Sequence, residues 1–164
     1  MDYVLIGKIV NTHGIKGELR LLSDFDKKEI VFKPNFNIYI GPTYIKETIN
    51  TYRHHKMFDM ITLNGYNNIN EVLKYKYMDV YVKRSDLNLS DNDYLLDDLI
   101  GMKIIDNNEE LGSVIDYQNT NSVLLKVRGI KEFYIPLVDE YIINIDTKNK
   151  VINVKNGKDL ILWK

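Results

Sequence analysis

Arg84-Ser85-Asp86-Leu87-Asn88-Leu89-Ser90-Asp91-Asn92-Asp93 is the stretch on which the fold turns. It is polar, built from turn-forming residues, and holds no run that could serve as core, as boundaries between domains typically do. Placed there, the boundary divides the 164 residues into a first domain over 1–86, a linker over 87–93 and a second domain over 94–164. Each half is shorter than the roughly 150 residues of an average domain.

Upstream of this boundary the pattern has a period of two. Asp2 to Val10 reads as a first strand, Glu18 to Leu22 alternates polar and apolar residues, and Phe36 to Ile40 forms a short run ended by Gly41-Pro42. Tyr44 to Tyr52 alternates along its length, with Met57 to Leu63 as its expected hairpin partner and Val80 to Val82 as a closing strand. The period changes once. Ile69, Val72, Leu73, Lys76 and Tyr77 follow helical spacing, so one short helix is expected near 69–78, capped by Asn68 or Asn70.

Downstream, Met102 to Ile105, Leu111 to Tyr117, Val123 to Val127, Phe133 to Ile135, Ile142 to Ile145 and Val151 to Val154 read as further strands. Short strands at intervals of about 8–12 residues indicate a small sandwich or barrel. The expected fold is mainly β, two barrel-like domains with one short helix. Composition agrees. The chain has no alanine and twelve tyrosines, and alanine favours helices whereas Tyr, Ile and Val favour strands.

Zero cysteines exclude a disulfide scaffold, a thiol nucleophile and a cysteine zinc site. Met1-Asp2-Tyr3-Val4-Leu5-Ile6 has neither the basic start nor the apolar run of a signal peptide, and no stretch reaches the ~18 apolar residues of a membrane helix. A cytoplasmic protein with no membrane partner is expected. Net charge is −1 overall, yet residues 1–86 carry +3 and residues 87–164 carry −4. A basic half suits RNA phosphates and an acidic half a basic protein, although a split this small also arises by chance.

The densest feature is Gly7 to Arg20, GKIVNTHGIKGELR. Lys8, His13, Lys16 and Arg20 surround a loop bounded by Gly14 and Gly17, where backbone can approach a phosphate closely. For the glycines alone, a tight strand-to-strand turn is the simpler explanation. A KH-type GxxG clamp needs a helix–turn–helix setting that the flanking strands do not offer, and nucleotide-loop spacings are absent. His54-His55 would face opposite sides of a strand, a poor shared metal site. Asp97-Asp98 and Asp139-Glu140 are carboxylate pairs, more simply solvated surface than acid–base machinery. No nucleophile elbow is present, so no catalytic residues, metal or cofactor are expected. Tyr94-Leu95-Leu96-Asp97-Asp98-Leu99-Ile100-Gly101 is an apolar cluster spiked with acids, suited to strapping the second domain or to binding a protein through its tyrosine.

These motifs together resemble the RimM family of bacterial ribosome maturation factors. Gly7 to Leu21 is similar to the family's glycine–strand–HG–x–x–G–E opening. Asp98 to Ile105, Glu110 to Val114, Asn121 to Leu124, Tyr134 to Val138 and Asn144 to Asp146 follow in the family's order and look like a PRC barrel. Where the family has an aromatic pair and a tryptophan, this chain has Tyr94-Leu95-Leu96, so Tyr94 alone carries over to ribosome binding.

The resemblance implies a six-stranded N-terminal barrel like those of translation factors and a C-terminal PRC barrel. It implies a monomeric, non-enzymatic assembly factor for the free 30S subunit that acts on the head and aids 16S rRNA processing. A basic protein of the head, the nineteenth of the small-subunit series, would be held by the PRC barrel. Under this reading Lys8, His13, Gly14, Lys16, Gly17 and Arg20 meet rRNA or the ribosome, and Tyr94, Asp97, Asp98 and Leu99 meet the ribosomal protein. Two other classes remain open: a stand-alone PRC-barrel adaptor that binds only protein, and a small hydrolase using His13 as base near Asp24.

Overall fold

Twelve strands carry the described residues. A computed structural model describes residues 2–162; Met1, Trp163 and Lys164, the outermost residues of the two expected domains, lie outside them. The chain divides into two compact units, Met1–Asn88 and Leu89–Lys164.

In the first unit, β1 (Tyr3–His13), β2 (Glu18–Leu22), β3 (Asn37–Ile40), β4 (Ile45–His55), β5 (Phe58–Leu63) and β6 (Asp79–Lys83) close into a barrel of order β1-β2-β5-β4-β3-β6. The alternation read from the sequence fills it. Ile9, Leu19, Leu21, Ile38, Ile40, Ile49, Ile61, Val80 and Val82 are fully buried. Closure depends on β1, whose first half pairs with β6 and second half with β2. Two register shifts, between Leu5 and Gly7 and between Ile9 and Asn11, let this strand bend from one neighbour to the other. It therefore runs three residues beyond the Val10 where its apolar pattern fades.

A short helix lies where the period changes. α2 (Ile69–Val72) continues into a 3₁₀ turn, Leu73–Tyr75. Asn68 is the N-cap: its Oδ1 accepts the Glu71 N–H at 3.2 Å, and Glu71 Oε1 accepts the Asn68 N–H at 3.2 Å. The buried face is Val72 and Tyr75, whereas Leu73 and Tyr77 are 45% and 65% exposed. The tightening to 3₁₀ geometry rotates that face away from the expected one. Tyr75 donates its hydroxyl to Glu47.

The strand pattern gave no sign of α1 (Lys28–Val31), which four residues are too few to announce by periodicity. This helix brings Val31 and the adjacent Phe32 into the core, and Phe32 stacks on Tyr52 with centroids 5.5 Å apart. Lys28 Nζ lies 2.9 Å from Oδ2 of Asp59, the one buried charged side chain among the described residues. Leu87, placed by the sequence in the linker, ends a 3₁₀ turn (Arg84–Leu87) and is 3% exposed. A single buried leucine in a polar stretch leaves no periodic trace.

The second unit is one six-stranded sheet. β7 (Lys103–Asp106), β8 (Glu109–Asn119), β9 (Val123–Arg128), β10 (Glu132–Pro136), β11 (Ile142–Asp146) and β12 (Val151–Val154) take the order β10-β9-β8-β7-β12-β11, with the β12–β7 pair parallel. After β12, α3 (Gly157–Leu162) packs against β10, near the other end of that order, so the sheet curls on itself. Leu111, Val114, Leu125, Val127, Phe133, Ile135, Ile152 and Val154 fill the enclosed core.

Candidate functional sites

The β1–β2 connection explains its own glycines. Gly14 and Gly17 have φ of +70° and +92°, a region that costs other residues roughly 1–2 kcal/mol. A Cβ on Gly14 would meet nothing within 4 Å, whereas one on Gly17 would lie 3.0 Å from the Asn68 carbonyl oxygen. The Ile69 N–H donates to the Ile15 carbonyl at 2.9 Å, so the turn docks on the start of α2. The glycines shape the loop, and chemistry is left to the side chains around it.

Those side chains share one outer surface. Register pairs His13 with Glu18, Asn11 with Arg20, and both Arg20 and Arg53 with Met60, while the intervening Leu19 and Ile61 point inward. Lys8, opposite Leu22, lies on the same surface two rungs away. Lys16 is exposed at the turn. Arg20 places Nη2 2.7 Å from His13 Nδ1 and stands over the Phe58 ring, 4.9 Å from its centroid. Its Nε is buried without a hydrogen-bond partner.

Two carboxylates border this group: Asp79, opposite Lys8 in the β1–β6 register, and Glu18, which is already engaged. Arg53 donates to both Glu18 oxygens at 2.8 Å, and this bond above all holds the Glu18 carboxyl below its ordinary pKa. Lys8, Lys16 and Arg20 have no carboxylate partner among the described residues. His55 borders the same surface with a ring that can hydrogen-bond, 6.3 Å from that of His13, but it adds no charge to the excess. Desolvation, followed by the charges of Arg53, Lys56, His13 and Arg20, holds its imidazole below the usual value. A surface of unpaired guanidinium, ammonium and imidazole groups is equipped to bind an anion through charge-assisted hydrogen bonds. It is poorly equipped for base catalysis, because His13 Nδ1 meets a guanidinium rather than the carboxylate that would orient a base.

The segment 94–101 is mostly a strap. Leu95, Leu96 and Leu99 are 2%, 4% and 0% exposed. Leu99 therefore corrects the expectation that it meets a partner: it lies in the core, where complete burial of a leucine contributes about 2 kcal/mol. Asp98 accepts the Leu95 N–H at 2.8 Å, fixing the 3₁₀ turn Leu96–Leu99. Asp97 accepts the Tyr117 hydroxyl at 2.6 Å and is exposed. Tyr94 is half-buried against the same core. Tyr94 and Asp97 reach the surface side by side with buried leucines, while Asp98 is committed to its cap.

His54 and His55 face different surroundings. His54 Nδ1 lies 3.4 Å from Asp59 Oδ1, while His55 joins the cationic surface. Asp139 and Glu140 are exposed. Sequence reasoning passed over Arg53, His55 and Phe58 as parts of the first site. The signal was available: β4 alternation puts Thr51, Arg53 and His55 on one face, and the expected β4–β5 hairpin brings Phe58 opposite His55.

A closed six-stranded barrel with a cationic outer face, followed by a curled six-stranded sheet behind a leucine strap, defines a two-domain β protein. Family models match both units: the RimM N-terminal domain over residues 4–87 and the RimM PRC barrel domain over residues 96–160. The ribosome maturation factor RimM of Staphylococcus haemolyticus is 39% identical, the match covering 96% of this chain and 98% of that protein. The RimM of Finegoldia magna is 38% identical, with 94% and 96% covered. The chain belongs to the RimM family. A crystal structure of a Pseudomonas aeruginosa 16S ribosomal RNA processing protein RimM is 21% identical with a TM-score of 0.44, covering 96% of this chain and 99% of that one. Among the described residues no helix is long and apolar enough to cross a membrane.

Proposed function

We propose that this protein is a non-enzymatic maturation factor that binds the free 30S subunit in the cytoplasm, assists late assembly of its head and supports 16S rRNA processing. The observation that carries the reading is family membership along both units, with relatives that bear the name ribosome maturation factor. The surfaces fit the division of labour. Lys8, His13, Lys16 and Arg20 meet rRNA through a face short of carboxylates, and Gly14 and Gly17 shape the turn between them. Tyr94 and Asp97, backed by Asp98, meet a basic protein of the head, the nineteenth of the small-subunit series. Binding an immature head more tightly than the mature one gives a chaperone its direction, with release once the difference is lost.

Reversing charge at Lys16→Glu and Arg20→Glu together tests the rRNA contact. Affinity for 30S particles should fall most at low salt, and the slope of log affinity against log salt should become shallower by roughly 1.5 for two lost phosphate contacts. An unchanged slope, with the variant melting like the parent, would remove the hairpin from the interface.

A further inference from the structure

A second surface of the first unit is built from tyrosines. Leu5, Tyr81 and Tyr39 occupy one register row, and the neighbouring Val80, Val82, Ile38 and Ile40 fill the barrel, so the row lies outside it, with Tyr39 covered by its neighbours and Leu5 exposed. Tyr3 and Tyr44 stack at 4.0 Å with planes 4° apart. Tyr81 meets Tyr44 edge-on at 5.0 Å, and Tyr39 meets Tyr3 edge-on at 5.2 Å. A cross-strand ladder would explain Tyr3, Tyr39 and Tyr81 as strand stabilisers.

Tyr44 joins the cluster through Tyr3 and Tyr81 but comes from outside the strands, and its outer side stays open. That residue lies before β4 in the turn after Gly41, with φ of +55° and 38% of its surface exposed. Glycine or asparagine is the ordinary occupant of such backbone, so a bulky ring there sits on a strained turn. Tyr77 repeats the pattern, with φ of +72° and 65% exposure. The two turns adjoin, because the Gly41 N–H donates to the Asp79 carbonyl at 2.9 Å.

The charges around these rings are positive. Lys83 stands 5.1 Å from the Tyr39 centroid and Lys76 5.1 Å from that of Tyr77. Lys46 pairs with Tyr39 in register and is exposed. None of the three forms an ion pair among the described residues, although exposed Asp79 stands nearby, opposite Lys8. Protein interfaces are depleted in lysine, whereas exposed aromatic faces set among cations are the means of holding unpaired bases and their phosphates.

The geometry points to a second nucleic-acid contact on this face: a platform on which bases of single-stranded RNA stack against Tyr44 and Tyr77, with Lys46, Lys76 and Lys83 on the phosphates. It rests on the ribosomal reading only in taking RNA as the ligand, and it is separate from the β1–β2 hairpin.

The test uses the full chain and a labelled 12-mer of oligouridine, with a second probe carrying 5-iodouridine for photocrosslinking. Tyr44→Asn keeps a residue suited to the backbone and removes the ring. It relieves the strained turn but gives up the Tyr3 and Tyr81 contacts, so it should stay folded while melting somewhat below the parent and bind the 12-mer about 10-fold more weakly, while Tyr44→Trp should bind at least as well as the parent. Crosslinks should map to Tyr44 or Tyr77 and should persist in the Lys16→Glu/Arg20→Glu variant. That persistence separates this surface from the hairpin, whose own failure would show only in the salt slope of 30S binding. Equal affinity of Tyr44→Asn and parent, or crosslinks confined to other residues, would overturn the platform. So would a Tyr44→Asn variant that binds RNA normally but loses a purified basic ribosomal protein, or that loses self-association shown by the parent, because the face would then serve protein.

Discussion

Gly129→Ala should unfold the second unit or bring it close to unfolding. A Cβ at this position would overlap the Leu111 carbonyl oxygen and lie 3.0 Å from its carbon. Both obstacles are backbone, so no side-chain rotation relieves the overlap. The clash falls where β8 and β9 pair through Ser113 and Arg128, and Gly112 on the facing strand is equally crowded, its Cβ position 2.5 Å from the Arg128 carbonyl oxygen. Relief requires the two strands to separate over the core that holds Val114 and Val127.

The expected loss is about 4 kcal/mol, the upper range for single substitutions. A unit of this size has of order 4–11 kcal/mol in total. Gly14→Ala is the control. Its φ is positive but its surroundings are empty, so backbone strain alone should cost about 1 kcal/mol. Urea unfolding of both variants checks the pair. A Gly129→Ala protein within 1 kcal/mol of the parent would contradict the strand contact described above.

Asp59→Ala should be the most damaging substitution of a charged residue in the first barrel. The side chain is fully buried, Oδ2 facing Lys28 at 2.9 Å and Oδ1 accepting the Tyr52 hydroxyl at 2.6 Å. Burial and that bond together push the Tyr52 hydroxyl up to about 12. Removing the carboxylate strands a half-buried hydroxyl, opens a cavity and releases Lys28 from its hold on α1. Because Lys28 is a third exposed and recovers hydration, the estimate belongs at the lower end for a broken buried pair, about 3 kcal/mol. Unfolding followed by denaturant tests it, and a loss below about 1 kcal/mol would show that α1 closes the barrel through Val31 and Phe32 alone.

What the sequence revealed and what it hid divide along the length of the interaction. Every strand was visible because alternation such as Ile38, Ile40 against Asn37, Tyr39 is a local signal. The turn to helical spacing at Ile69 was visible for the same reason, although Asn68 and Asn70 were equal candidates for its cap and only the structure selects Asn68. α1 was hidden because its purpose is nonlocal: Lys28 answers Asp59, thirty-one residues later. α3 begins at Gly157, a weak helix start, and its reason for folding is β10.

The candidate sites were legible in part. The hairpin cations were found from composition and spacing, but Arg53, His55 and Phe58 join them only through the β2–β5 and β4–β5 registers. Leu99 misled because an apolar residue beside acids reads the same whether it faces a partner or the core. Only the burial of Leu96 and Leu99 on the inner side of the strap distinguishes these. Tyr44 reads in the sequence as the first residue of an alternating strand, whereas its positive φ, which contradicts what the residue type predicts, leaves it in the turn before β4.

The central claim is that this chain engages the small ribosomal subunit before the ribosome is complete. Sedimentation of the purified protein with free 30S subunits and with 70S ribosomes at low salt tests it most directly. The protein should travel with the 30S particles and stay behind from the 70S, with the Lys16→Glu/Arg20→Glu variant retained less by the 30S. Failure to sediment with 30S particles, or equal retention on 70S ribosomes, would contradict the account.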